Sequence, residues 1–121
     1  MGLDMWLHKR PKVEDEITYW RKANQIRGWF ANNVDNFEDN GETVIPKEKV
    51  KELLTVCDEV LKHRSEKYSK EVLPVTSGFF FGSEEYDDDY YDEVAHTAEV
   101  LRDVLYTVDF DRYDLVYSEW Y

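Results

Sequence analysis

Between Pro46 and Pro74, apolar side chains recur three and four residues apart: Val50, Leu53, Leu54, Cys57, Val60, Leu61 and Tyr68, with Arg64 in the same register. That spacing puts them on one face of a helix, while Lys47, Lys51, Glu52, Asp58, Glu59 and Lys62 occupy the other. A helix divided in this way is marginal in water alone, so its stripe must be buried against a second layer. Pro46 suits the first helical turn, and Pro74 predicts an end before it. At 42% hydrophobic and 16% aromatic residues, the chain has the material for that layer. Its 121 residues fit one domain, 1–121.

Other segments suggest what the second layer is. From Met1 to Arg10, Leu3, Met5 and Leu7 alternate with Asp4, Trp6 and His8, which predicts a half-buried strand. Tyr19, Ala23, Ile26 and Phe30 predict a helix over 16–33, and Asn32 to Gly41 is dense in turn residues. Val75 to Gly82, with three consecutive phenylalanines, predicts a short buried strand or an aromatic turn. A third helix opens near Asp87, with Tyr91, Val94, Ala98, Leu101, Leu105 and Val108 on its apolar face. Asp109–Arg112 predicts a turn, and Tyr113–Trp120 a last strand. The expected fold is therefore α+β: a small three-stranded sheet with three helices on one side, in the order β-α-α-β-α-β.

Charge is distributed unevenly along this frame. Residues 1–74 carry 14 acids and 13 bases, whereas residues 75–121 carry 13 acids and only Arg102 and Arg112 as bases. A one-sided negative field repels nucleic acid and anionic membranes, and draws in basic surfaces from beyond contact range. The surplus is densest from Glu84 to Glu93, where Glu84, Glu85, Asp87, Asp88, Asp89, Asp92 and Glu93 accompany Tyr86, Tyr90 and Tyr91. Carboxylates along a helix start can stand in for phosphates, and tyrosine faces for stacked bases. Capping of the helix by Asp87–Asp89 accounts for one or two of the seven acids. Glu84, Glu85, Tyr86, Asp87, Asp88, Asp89, Tyr90, Asp92 and Glu93 are thus the expected partner-binding residues, and the expected partner is a basic protein that grips nucleic acid.

Other chemistry has less support. Asp92 and His96 are four apart on one helix face and could share a divalent metal such as zinc, as could Glu59 and His63. No cofactor is otherwise expected. The acids do not follow a calcium-loop pattern, and no nucleophile elbow or phosphate-binding glycine loop is present. Cys57, lying on the stripe, is expected to be an inert core residue, so no catalytic residue is assigned. Trp20, Arg21 and Asn24 form either a polar pocket with Asp4 or a core cluster in which Arg21 pairs with acids of the third helix. A single cysteine fits a reducing compartment, and no secretory signal, bilayer-length apolar run or acylation pattern is evident, so a cytoplasmic protein is expected.

Several motifs together resemble a family of small phage and prophage proteins of undetermined activity. They are Met1-Gly2-Leu3-Asp4-Met5, Tyr19-Trp20-Arg21-Lys22-Ala23-Asn24, Ser77-Gly78-Phe79-Phe80-Phe81-Gly82-Ser83, the Tyr86-Asp87 and Tyr90-Tyr91 region and the closing aromatic strand. The chain departs from the pattern at Arg27, where relatives often carry His, and near Asn40, where some carry Cys. The resemblance implies a mobile-element origin, and small acidic phage proteins include anti-CRISPR inhibitors. The expected function is an acidic inhibitor that occupies a nucleic-acid-binding surface of a host protein, a CRISPR nuclease being the candidate. The alternatives are a small-ligand- or metal-dependent accessory enzyme built around Asp4, Arg21 and Asn24, and a structural component of a phage.

Overall fold

A computed structural model of the chain describes residues 2–10, 15–76 and 82–121. The elements run β1 (Asp4–Arg10), β2 (Asp15–Arg21), α1 (Asn24–Asn33), β3 (Glu42–Val44), α2 (Lys47–His63), α3 (Glu66–Val72), α4 (Asp88–Thr107) and β4 (Asp114–Trp120). The strands form one antiparallel sheet in the order β2-β1-β4-β3. The class is α+β, as the sequence implies, but the count is not. Among the described residues there are four strands and four helices, not three of each, and the order is β-β-α-β-α-α-α-β.

Each difference has a local cause. The expected helix over 16–33 is a strand followed by a shorter helix. Ile17-Thr18-Tyr19-Trp20 is β-branched and aromatic, and alternates: Thr18 and Trp20 are buried while Tyr19 is exposed. It pairs with β1 through Met5 opposite Trp20 and Trp6 opposite Tyr19. Lys22, at φ 59°, then turns the chain into α1, and Ile26 and Phe30 on that helix are buried together with its N-cap Ala23. The long second helix is likewise two. Arg64 adopts the left-handed conformation at φ 45° and ends α2, and the Ser65 hydroxyl accepts from Tyr68 N–H to start α3. The three-residue β3 is too short for any period to show. It buries Thr43 alone, and Ile45 N–H donates to Leu115 O at 2.8 Å just beyond it. The expected strand over 75–82 is not seen in its described part: Val75, Thr76 and Gly82 have no regular structure, and Ser77–Phe81 lie outside the described residues.

The core forms where the inner face of the sheet meets the helices. Leu3, Met5, Leu7, Trp20, Leu115 and Tyr117 face Ile26, Phe30, Leu53, Cys57, Val60, Val94, Ala98 and Leu101, all almost fully buried. Burying one such aliphatic side chain contributes about 1.5–3 kcal/mol, which explains why the apolar stripe organises the molecule. Cys57 is completely enclosed, and burial pushes its thiol up to about 12, so it is inert packing as expected. Trp20 is also core, its Nε1–H donating to Thr97 Oγ1 at 2.9 Å. The face of the sheet away from the helices leaves Tyr19, Val44 and Trp120 exposed.

Candidate partner-binding face and cavity

The start of α4 positions the acidic segment. Asp87 takes an extended conformation as N-cap, and its carboxylate accepts from Tyr90 N–H at 3.1 Å. Asp88 and Asp89 follow in the first turn, where the free N–H groups favour negative charge. Glu84, Glu85, Asp87, Asp88, Asp89 and Asp92 are all exposed. Among the described residues, no lysine or arginine forms an ion pair with Glu85, Asp87, Asp88, Asp89 or Asp92. Capping is therefore part of the explanation, and most of the charge faces solvent.

The acidic surface extends beyond the run from Glu84 to Glu93. Asp88, Asp92, Glu99 and Asp103 recur four and seven apart, all exposed, so one side of α4 is negative for most of its length. Fifteen residues of helix rise about 22 Å. Glu99 and Asp103 lie at helical spacing beyond Asp92, outside the dense acidic run of the sequence. Arg102, between them, is spent on α2, where it holds both oxygens of Asp58 at 2.8 and 2.9 Å.

The tyrosines behave differently from the expectation. Tyr90, assigned to partner contact, is only 3% exposed, so it offers no face to a partner. Its hydroxyl donates to Leu73 O at 2.7 Å and its ring lies edge-on to Tyr91. An amphipathic helix must turn some residues of its first turns inward, and the aromatic ones gain most from burial. Tyr86 is half-buried: its hydroxyl accepts from Val75 N–H, and the Lys70 ammonium stands over its ring. These rings fasten the acidic segment to the core.

Glu93 is also drawn inward. One carboxylate oxygen accepts from Gln25 Nε2 at 2.9 Å, and burial raises the group to about 7, against the smaller opposing effect of that hydrogen bond. It lines a half-enclosed cavity of about 180 Å³ together with Lys22, Asn24, Gln25, Ser83, Glu85 and Asp89. The cavity exists because α1 is stitched to the segments around it. Asn24 Oδ1 accepts from Thr76 N–H at 2.9 Å and its Nδ2 donates to Ser83 O at 2.8 Å. One turn on, Gly28 leaves room for Thr76, whose hydroxyl oxygen would stand 2.1 Å from an added Cβ. The sequence does not single out Gln25, which is one polar residue among many on a helix.

The remaining candidates do not converge on one site. Asp4 accepts a hydrogen bond from Tyr19 on the sheet's outer side, whereas Asn24 is on α1 at the cavity. The side chain of Arg21 lies outside what the structure describes. His96 Nε2 stands 3.0 Å from Thr18 Oγ1, and His63 is 3.5 Å from Glu59. Among the described residues, no group of three or more His, Cys, Asp or Glu side chains is placed to hold a metal ion. No described helix is long and apolar enough to cross a membrane.

One polar cluster was not expected at all. Arg27 on α1 reaches Glu119 on β4, Nε to Oε1 at 2.9 Å and Nη2 to Oε2 at 3.1 Å, with the Glu119 side chain wholly buried. Tyr117 hydroxyl and Asn40 N–H also donate to that carboxylate, and Asp39 and Tyr121 close the rim. Burial by itself lowers the Arg27 pKa, but the Glu119 hydrogen bond and charge more than offset it, leaving the pKa raised. The arrangement ties the loop after α1 to the end of β4. Compared with family models, with curated proteins and with solved structures, the chain matches none of them.

Proposed function

We propose that this protein is an acidic inhibitor of phage type, acting in the host cytoplasm, that binds a basic host protein and blocks its access to nucleic acid; a CRISPR nuclease is the candidate partner. The observation that carries the reading is the run of exposed carboxylates at 85, 87, 88, 89 and 92, none ion-paired within the described chain. A fold that neutralised its own charge would have matched these acids with the lysines of α2 and α3. Three of them, Lys49, Lys51 and Lys70, instead pair within their own helices, with Glu52, Glu48 and Glu66.

The magnitude fits competition for a DNA groove. A strand of duplex carries one charge per ~3.4 Å of axis, or roughly six over ~22 Å. Asp88, Asp89, Asp92, Glu99 and Asp103 present a comparable number over that length of α4. Tyr90 is core and forms no part of the contact surface. The test is displacement of labelled DNA from a guide-loaded nuclease by the purified protein, measured by fluorescence anisotropy. The parent should displace DNA at low salt and lose potency steeply as salt rises. The triple variant Asp88→Lys, Asp89→Lys, Asp92→Lys should not displace it.

A further inference from the structure

An antiparallel sheet with helices on one side is usually apolar towards them and polar on its open side. The open side here is not polar. Trp6 and His8 on β1, Tyr19 on β2, Val44 on β3, and Val116 and Trp120 on β4 alternate with buried neighbours and so point away from the helices. The register gathers them into one patch. Trp6 stands between Tyr19 and Ser118, His8 is opposite Val116, and Val116 is opposite Val44. The rings of Trp6 and Tyr19 are 5.6 Å apart. None of the apolar members belongs to the core between sheet and helices, so they form a second apolar layer.

That layer is half finished. Val116 is only 1% exposed although it lies on the open side. His8 Nδ1 is shut off from water and has no hydrogen-bond partner among the described residues, a cost that a solvated polar face would not carry. Around this dry centre the layer is open: Tyr19 is 43% exposed, Val44 46% and Trp120 58%. Its charge is also unlike that of the rest of the chain. The acids on this side, Asp4, Glu42 and Asp114, stand at its margins, and the register sets Asp4 opposite Arg21 and Asp114 opposite Arg10. A chain of net charge −12 thus has one nearly neutral, aromatic face. A basic partner finds little charge to match there, whereas a second copy brings an equally neutral and apolar surface.

We propose that the open side of the sheet joins two copies of this chain back to back in a two-fold dimer, in which the same patch serves both partners. The helices lie on the other side of each sheet, so the acidic stripe of each α4 stays free. The area sets the strength. Four strands about 4.8 Å apart and seven residues rising about 3.3 Å each give roughly 400 Å² per copy, before the relief of the rings is added. Doubled, that comes close to the roughly 1,000 Å² at which specific interfaces begin, so the dimer is a weak one, with a Kd of about 10–100 µM. The inference does not depend on the acidic-face reading, and the two respond to salt in opposite ways. Screening weakens the grip on a basic protein, but it relieves the repulsion between two chains of −12 each.

The experiment is sedimentation of the full chain from about 1 µM to about 1 mM, at low and at high salt, with no nuclease present. The mass should rise from monomer to dimer with concentration, and the midpoint should fall severalfold as salt is added. Trp120→Ala and Val44→Lys, both at exposed positions, should each raise the midpoint about tenfold or more, since a central tryptophan carries much of an interface. The reversal at 88, 89 and 92 should still dimerise at high salt. A monomer at every concentration and salt would overturn the proposal, as would a dimer indifferent to both sheet substitutions or one lost in the reversal at 88, 89 and 92. Oligothymidylate that quenches the tryptophan fluorescence of a persistent monomer would give the face to nucleic-acid bases instead. A dimer that fails to displace DNA sinks the acidic-face reading alone, and a monomer that displaces it sinks the dimer alone.

Discussion

Two regions of this molecule handle carboxylates in opposite ways. At Arg27 and Glu119, charge is taken out of water and every oxygen is answered: Glu119 receives Arg27 twice, Tyr117 hydroxyl and Asn40 N–H. Along α4, Asp88, Asp89 and Asp92 stay in water with no described cation to meet them. The first arrangement is worth nothing to a partner and much to the fold, because a buried charge that loses its mate is costly. The second does little for the fold and is open to a partner. Counting acids along the chain cannot separate the two; their hydrogen-bond partners do.

The comparison predicts a graded series. Glu119→Ala strands Arg27 inside the protein and should lower unfolding free energy by about 3–5 kcal/mol in a denaturant titration. Loss of less than about 1 kcal/mol would show that the buried pair does not organise the fold. Glu93 falls between the two regions. Burial raises its pKa to about 7, above its unfolded value, so the folded state binds the extra proton. Its contribution to stability is then fully present below the unfolded pKa and is lost as pH rises through about 7. Glu93→Gln should therefore stabilise the protein at pH 8 by roughly 2 kcal/mol, discounted for partial exposure, and change little at pH 4. Equal effects at both pH values would contradict the burial of that carboxylate. Asp39→Asn removes an exposed rim partner of Arg27 and should cost at most about 1 kcal/mol. The triple reversal at 88, 89 and 92 sets the loss of two favourable charges in the first turn of α4 against relief of repulsion among the carboxylates, and should lower stability by no more than about 1 kcal/mol, read by the same denaturant titration.

The sequence shows these regions unequally. The α2 stripe, the alternation Leu3, Met5, Leu7 and the acid-capped start of α4 are periodic or composition-dense, and each lies where that pattern puts it. The β2 strand was hidden because Tyr19 falls in register with Ala23, Ile26 and Phe30, so a helical period runs across a strand, a turn and a helix. The α2–α3 break was hidden for a related reason, since Cys57, Leu61, Arg64 and Tyr68 keep their spacing through a left-handed residue. The exposed acids were legible because charge density is a local property. The pairing of Arg27 with Glu119 was not, because it joins residues 92 apart through a fold that pairs β4 with β1. Tyr90 shows the limit within the dense run itself: it sits among carboxylates in sequence, and under them in space.

Displacement of labelled DNA from a guide-loaded nuclease, repeated at rising salt for the parent and the 88, 89, 92 reversal, confronts the account most directly. The parent should compete at low salt and fade as ions screen it, while the reversed protein, equally folded, should leave the DNA in place. A reversed protein that displaces DNA as well as the parent would mean that these carboxylates are solvated surface and nothing more.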